Sequence, residues 1–199
     1  NRFKVTRVYR VFDTAGNSST CSQVITVFDN TMPTFTFVPA NVTVQCNSVP
    51  APGTPVATDN CGGSVTITLL QTVSGQSCTD SYVLTRQWTA TDACGNTRTA
   101  TQRINVIDTQ KPNFVNPPAN ITVQCDAIPA PTGPAATDNC DTDVAISFIG
   151  ETRTNGSCPN AYTLTRRWVA SDNCNNTRTI SQRITVVDNG KPVFTSVPP

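Results

Sequence analysis

Aspartate, asparagine and cysteine stand side by side twice in this sequence, in ATDNC at Ala57 to Cys61 and again at Ala136 to Cys140. An aspartate also precedes a second cysteine in each half, Asp92 before Cys94 and Asp172 before Cys174. Thiols beside carboxylate and amide oxygens support three chemistries: a metal site, a reactive thiol, or a disulfide at the corner of a small domain. Histidine is absent, which removes the commonest general base and the commonest transition-metal ligand. No CxxC pair of the kind zinc uses is present. Serine and threonine are plentiful, but they lack a histidine to activate them, so the residues argue against an enzyme.

The elements that carry these residues are copies of one another. Pro33 to Lys111 aligns with Pro112 to Lys191 at about half identity, and the cysteines shift by 79 (46 to 125, 61 to 140) and then by 80 (78 to 158, 94 to 174). One residue has been inserted between the second and third cysteines. Residues 1 to 32 align with the tail of such a copy, with Tyr9 at Trp88 and Asp13 at Asp92, and residues 192 to 199 begin another. The chain thus looks like a window on a tandem array, comprising residues 1–32, 33–111, 112–191 and 192–199.

Within a copy, NVTVQC, SVTITLL, YVLTRQWTATD and RTATQRINVI are rich in β-branched and aromatic residues, and ACGN between the last two reads as a hairpin turn. Leu84, Trp88 and Ala90 share one strand face, as do Ile104 and Val106. The expected fold is all-β: small antiparallel immunoglobulin-like sandwiches repeated in a linear rod.

Nine cysteines at this density point to an oxidising compartment. Geometry ranks their pairings within a copy. Cys94 sits in the hairpin turn, and Cys78 lies at the far end of an eleven-residue strand, about 36 Å away at roughly 3.3 Å per residue. A bridge needs Cα atoms within about 7 Å. The first strand delivers Cys46 beside Cys78, and the return of the chain leaves Cys61 beside Cys94. The expected bridges are therefore Cys46 with Cys78, Cys61 with Cys94, Cys125 with Cys158 and Cys140 with Cys174. Cys21 aligns with Ala100 and Ile180, so its partner is expected upstream.

Each copy ends in aspartate, a short linker and proline: FDNTMP, IDTQKP and VDNGKP. If the end of one copy abuts the start of the next, Asp29 meets Asp59, Asn60 and Asp92. Asp108 likewise meets Asp138, Asn139 and Asp172. Carboxylate and amide oxygens gathered in this way suit calcium. The plainer reading has Asp59 and Asp92 make Asx-turns and Asp108 cap a strand end, and Asp13, Gly16 and Asn17 persist where the neighbouring cysteine is Ala15.

Trp88 and Trp168, each two residues after an arginine, offer a sugar-stacking platform if exposed and core residues if buried. Asn-x-Ser/Thr sequons stand at Asn17, Asn41, Asn120 and Asn155. Charge is nearly balanced, 14 Lys and Arg against 13 Asp and Glu, which disfavours an electrostatic grip on nucleic acid. No apolar run reaches the length of a membrane-spanning helix.

The pattern ATDNC, then R-x-W-x-A-x-D-x-C-x-N-T, then V-x-D-x-x-x-P resembles the hyalin-repeat-like, immunoglobulin-fold units of very large surface proteins. In its cysteine-rich form it is similar to repeats of Bacteroidota adhesins, including the gliding-motility adhesins of flavobacteria. The resemblance implies export across the outer membrane of a Gram-negative cell, display as extracellular filaments, and a role as stalk between cell and binding tip. Its partners would be neighbouring repeats, with surface polysaccharide or substratum engaged elsewhere in the protein. The alternatives are a weak polysaccharide site on every repeat, or a non-catalytic appendage of a secreted enzyme.

Overall fold

The computed structural model describes residues 3–195, and their regular elements are strands, apart from one 3-10 turn at Cys46–Ser48. The fold class is all-β, as the alternation of β-branched and polar residues implies. The chain forms two units, one of Asn1–Val44, Val49–Gly75 and Val83–Asn105, the other of Gln45–Ser48, Gln76–Tyr82 and Val106–Pro199.

In the first unit, β1 (Phe3–Phe12) pairs antiparallel with β2 (Ser18–Val27). Tyr9 is 50% exposed on this two-stranded ribbon, whereas Trp88, its counterpart in the following copy, is only 2% exposed. Cys21 lies opposite Tyr9 and is exposed. Next come β3 (Thr34–Phe37), β4 (Val42–Gln45) and β5 (Val56–Thr58), with β3 and β5 paired antiparallel. The long strands β6 (Thr66–Cys78), β7 (Ser81–Thr91) and β8 (Thr97–Ile107) join β4 in a sheet ordered β4-β8-β7-β6. The last residues of β6 and β8 and the first of β7 belong to the second unit.

The second copy repeats the plan with β9 (Asn113–Val115), β10 (Ile121–Gln124), β11 (Ala135–Thr137), β12 (Ala145–Cys158), β13 (Ala161–Ser171) and β14 (Thr177–Val187). Its four-stranded sheet runs β10-β14-β13-β12, and β9 pairs with β11. Within this otherwise antiparallel arrangement, β10 lies parallel to β14. The pairing of an early strand with the last one brings Cys125, which follows β10, to the end of β14, where its N–H donates to the Val187 carbonyl at 3.0 Å. β12 shifts register between Phe148 and Gly150 and between Asn155 and Cys158. Such bulges take up the residue by which this copy exceeds the first.

Alternation along the hairpin strands builds the core. Trp88, Ala90, Ile104 and Val106 are buried in the first copy, and Leu164, Trp168, Ala170, Ile184 and Val186 in the second. The inward faces also carry Arg86 and Arg166, each 3% exposed. A charge so deeply buried requires partners. Arg166 has Glu151 at 2.6 Å and the Pro129 carbonyl at 2.7 Å, and Arg86 has Gln71 at 3.0 Å with the Pro50 and Ala51 carbonyls. Each arginine thus ties a proline-rich loop to the sheet. With both tryptophans 2% exposed, the sugar-stacking platform is excluded and the core reading holds.

The disulfides differ from the expected pairing. Cys46 is bonded to Cys140 and Cys78 to Cys174, with Cα separations of 6.0 and 5.1 Å. None of the bridges expected within a copy forms: not Cys46 with Cys78, Cys61 with Cys94, Cys125 with Cys158 or Cys140 with Cys174. Cys78 does not pair with Cys94, as strand length requires, and the partners of Cys46 and Cys78 lie in the following copy. The strand ends that carry Cys46 and Cys78 belong to the unit that holds the second copy's turns. The first and third cysteines of one copy there meet the second and fourth of the next.

Candidate functional site

The acidic residues lie in turns, Asp13, Asp59, Asp92, Asp138 and Asp172, and just after strands β2 and β8, Asp29 and Asp108. In the hairpin turn between β13 and β14, Asp172 Oδ1 accepts the N–H groups of Cys174 and Asn176 at 2.9 and 2.8 Å, and its Oδ2 accepts the Asn176 side chain at 2.9 Å. Asp92 repeats these bonds with Cys94 and Asn96, and Asp13 with Ala15 and Asn17. These turns need a left-handed residue, supplied by Gly16 and Gly95 (φ 86° and 87°) and by Asn175 (φ 66°), asparagine being among the few other residues that tolerate it. The plain Asx-turn reading is therefore correct for this set. The side-chain bond from Asn17 leads in holding the Asp13 carboxyl below its ordinary value. At Asp92, burial pushes upward, but the bonds from Asn96, Cys94 and Gly95 outweigh it and the result lies below the ordinary value.

Asp59, Asp108 and Asp138 each commit one oxygen to a local turn and leave the other inside the protein. Asp138 Oδ1 accepts from Cys140 N–H at 3.0 Å, Asp59 Oδ1 from Cys61 N–H at 3.0 Å, and Asp108 Oδ1 from Gln110 N–H at 3.1 Å. The Oδ2 atoms of Asp59, Asp108 and Asp138 are buried without a hydrogen-bond partner, as is Oδ1 of Asn139. Unsatisfied buried oxygens are costly and call for an explanation.

In the second unit a carboxylate oxygen from each of Asp108, Asp138 and Asp172 lies within 4.8 Å of the others. Asp108 and Asp172 are 6% and 5% exposed. The sulfurs of Cys46 and Cys140 crowd Asp108 equally closely. Asn139 donates to Cys140 Sγ at 2.8 Å, and Asn176 donates to the Asp108 carbonyl at 3.3 Å. The structure thus gathers Asp108, Asp138 and Asp172, with Asn139 adjoining in sequence.

In the first unit the corresponding group is Asp29, Asp59 and the Cys61 sulfur. Asp92 is not a member of it, and Asn60 is exposed. Asn96 nevertheless reaches the Asp29 carbonyl at 3.2 Å, just as Asn176 reaches Asp108. These two asparagines were not singled out in the sequence, although NTRT recurs at Asn96 and Asn176. Asp80 and Asp141 were also passed over: they accept from the Asn173 side chain at 2.7 Å and the Asn173 N–H at 2.9 Å. Asn41 and Asn120, noted as sequons, instead accept the Arg103 and Arg183 N–H groups at 2.7 Å.

Burial is the main cause that raises the Asp108 carboxyl above its ordinary value of 3.8, with Asp138, Asp172 and Asp80 adding repulsion against the bond from Gln110. A raised folded-state value means that the folded protein holds the proton more tightly than the unfolded chain. The group's contribution to stability is then full below 3.8 and is lost as pH rises through the folded value. In chelator at neutral pH, Asp108→Asn is accordingly expected to melt higher than the parent protein, with the gap closing as pH falls through the raised folded value toward 3.8. Calorimetry at both pH values checks this.

Among the described residues, no helix is long and apolar enough to cross a membrane. Comparison with curated proteins gives no match. Among solved structures the chain is similar to Drosophila N-cadherin EC1-4, at 12% identity and a TM-score of 0.38 over 94% of this chain and 58% of that one. It is also similar to mouse clustered PcdhgC3 EC1-3, at 17% identity and a TM-score of 0.34 over 94% of this chain and 77% of that one. A third similar structure is the protocadherin GammaB4 extracellular domain, at 14% identity and a TM-score of 0.33 over 92% of this chain, which spans only 38% of that one. Residues 35–106 and 114–186 both match the family described as the HYR-like domain with 4 cysteines. With most of its length in those two matches, the chain belongs to the family of HYR-like domains with four cysteines, in two tandem copies.

Proposed function

We propose that the chain is a segment of stalk from an extracellular, adhesion-type surface protein, in which successive copies are covalently clamped to one another. The observation that carries this reading is the pair of disulfides joining Cys46 to Cys140 and Cys78 to Cys174, at sequence separations of 94 and 96. Bridges inside a copy would stabilise that copy alone. Bridges from copy to copy make the array itself a load path, and a closed loop of 94 residues withholds about 300 Å of extended chain at roughly 3.4 Å per residue. Calcium at the acidic clusters would add stiffness. The finer reading places such stalks on the outer membrane of a Gram-negative cell, serving surface attachment or gliding motility, with polysaccharide or substratum bound by other parts of the protein.

The test is a protease site engineered into the linker at Thr109 to Lys111. After cleavage of the oxidised protein, the two pieces are expected to migrate together on a denaturing gel and to separate only on reduction. Separation without reductant would mean that each copy closes its own bridges, and the clamped-stalk reading would be wrong.

A further inference from the structure

We infer that Asp108, Asp138 and Asp172, with Asn139, form a calcium site that the two disulfides hold assembled. The inference rests on the clamped-array reading, because the bridges that define the array also carry the site.

The first ground is the oxygen set. Asp108, nine-tenths buried, has an Oδ2 with no hydrogen-bond partner, and Asp138 Oδ2 and Asn139 Oδ1 are likewise buried and unpartnered. Three carboxylates lie within 4.8 Å of one another. Calcium takes oxygen ligands at about 2.4 Å, so opposite ligands stand up to about 4.8 Å apart, while magnesium at about 2.1 Å requires a tighter cage. No histidine exists in the sequence, and the nearby sulfurs of Cys46 and Cys140 are tied up in a bridge. What remains is a hard, oxygen-only donor set.

The second ground is how the set is held. The three aspartates come from places far apart in the chain, and their charges repel. Each disulfide anchors one acidic turn two residues from its aspartate: Cys140 follows Asp138, and Cys174 follows Asp172. Both turns are thereby pinned to the strand ends beside Asp108, where the Cys46 and Cys140 sulfurs lie within 4.8 Å of its carboxylate. The bridges supply the ordering that the ion would otherwise have to impose, and linkage requires the converse, that calcium favours the bridged state.

Calcium titration calorimetry on the oxidised chain, before and after Asp138→Asn, is the experiment. Loss of one equivalent of calcium, or at least a tenfold weakening at one site, is expected in the variant, and an unchanged isotherm overturns the site. The Cys46→Ser/Cys140→Ser variant, shown to be folded by its tryptophan fluorescence, is expected to bind at least tenfold more weakly; undiminished affinity there overturns the role of the bridge. Asp138→Asn keeps every cysteine and serves if the double variant fails to fold. Peptide mapping of the same sample separates the two ideas. A Cys46–Cys140 peptide without calcium uptake refutes the site alone, and absence of that peptide refutes the clamped array.

Discussion

Replacing Trp168 by alanine is expected to destabilise the second copy by about 3–5 kcal/mol, the usual cost of removing a large buried aromatic side chain. Trp168 is 2% exposed, and its ring centroid lies 5.5 Å from that of Phe148. The core around it is thin. The buried cluster of Leu164, Ile184 and Val186 in this copy does not include Trp168, and Ile121, Val123, Cys125, Ile128 and Tyr162 are only partly buried against that cluster. Since small domains have only about 5–15 kcal/mol in total, the variant should lose much of its denaturant resistance. Urea unfolding followed by the fluorescence of Trp88 measures the first copy alone in the variant, and circular dichroism measures both. A fall below about 1 kcal/mol would mean that Trp168 is not the centre of the core.

Cys140→Ser should have an effect of similar size, whereas Cys158→Ser should have almost none. The Cys46–Cys140 bridge closes a loop with a sequence separation of 94, and the chain-entropy model assigns about 4.6 kcal/mol to a closure of that length. Cys158 is an exposed thiol, so its replacement falls within the roughly 0.5 kcal/mol typical of surface changes. The comparison discriminates sharply. If each copy closed its own bridges, Cys158 would pair with Cys125 and Cys140 with Cys174, and the two serine variants would lose similar amounts. Thermal melts of the oxidised proteins, repeated in reductant, give the answer: reduction should lower the parent and Cys158→Ser strongly and Cys140→Ser by less.

Residue types and periodicity were enough to read the strands, the copies and the hairpin turns, because these are local. Trp88 and Ile104 alternate with polar neighbours at the period of a strand, and Asp92 closes a turn with atoms only four residues away. Even the inward arginines were visible as a recurrent R-x-W, although their partners were not. Asp108, Asp138 and Asp172 could be placed at one meeting point because a tandem array puts the end of one copy at the start of the next. The counterpart cluster departs from that reasoning: Asp92 stands outside the group of Asp29 and Asp59, a matter of ångströms that spacing does not encode.

The sequence by itself therefore determined an all-β tandem array, its turn chemistry and the oxygen-rich character of its acidic loops. The partner of each cysteine was decided by tertiary structure. Both full copies carry the same four cysteines in the same order, so the sequence is equally compatible with bridges inside a copy and bridges to the next. Disulfide geometry tolerates only a few ångströms between Cα atoms, and which pair meets that limit depends on where the strand ends carrying Cys46 and Cys78 come to lie. They lie against the turns of the following copy.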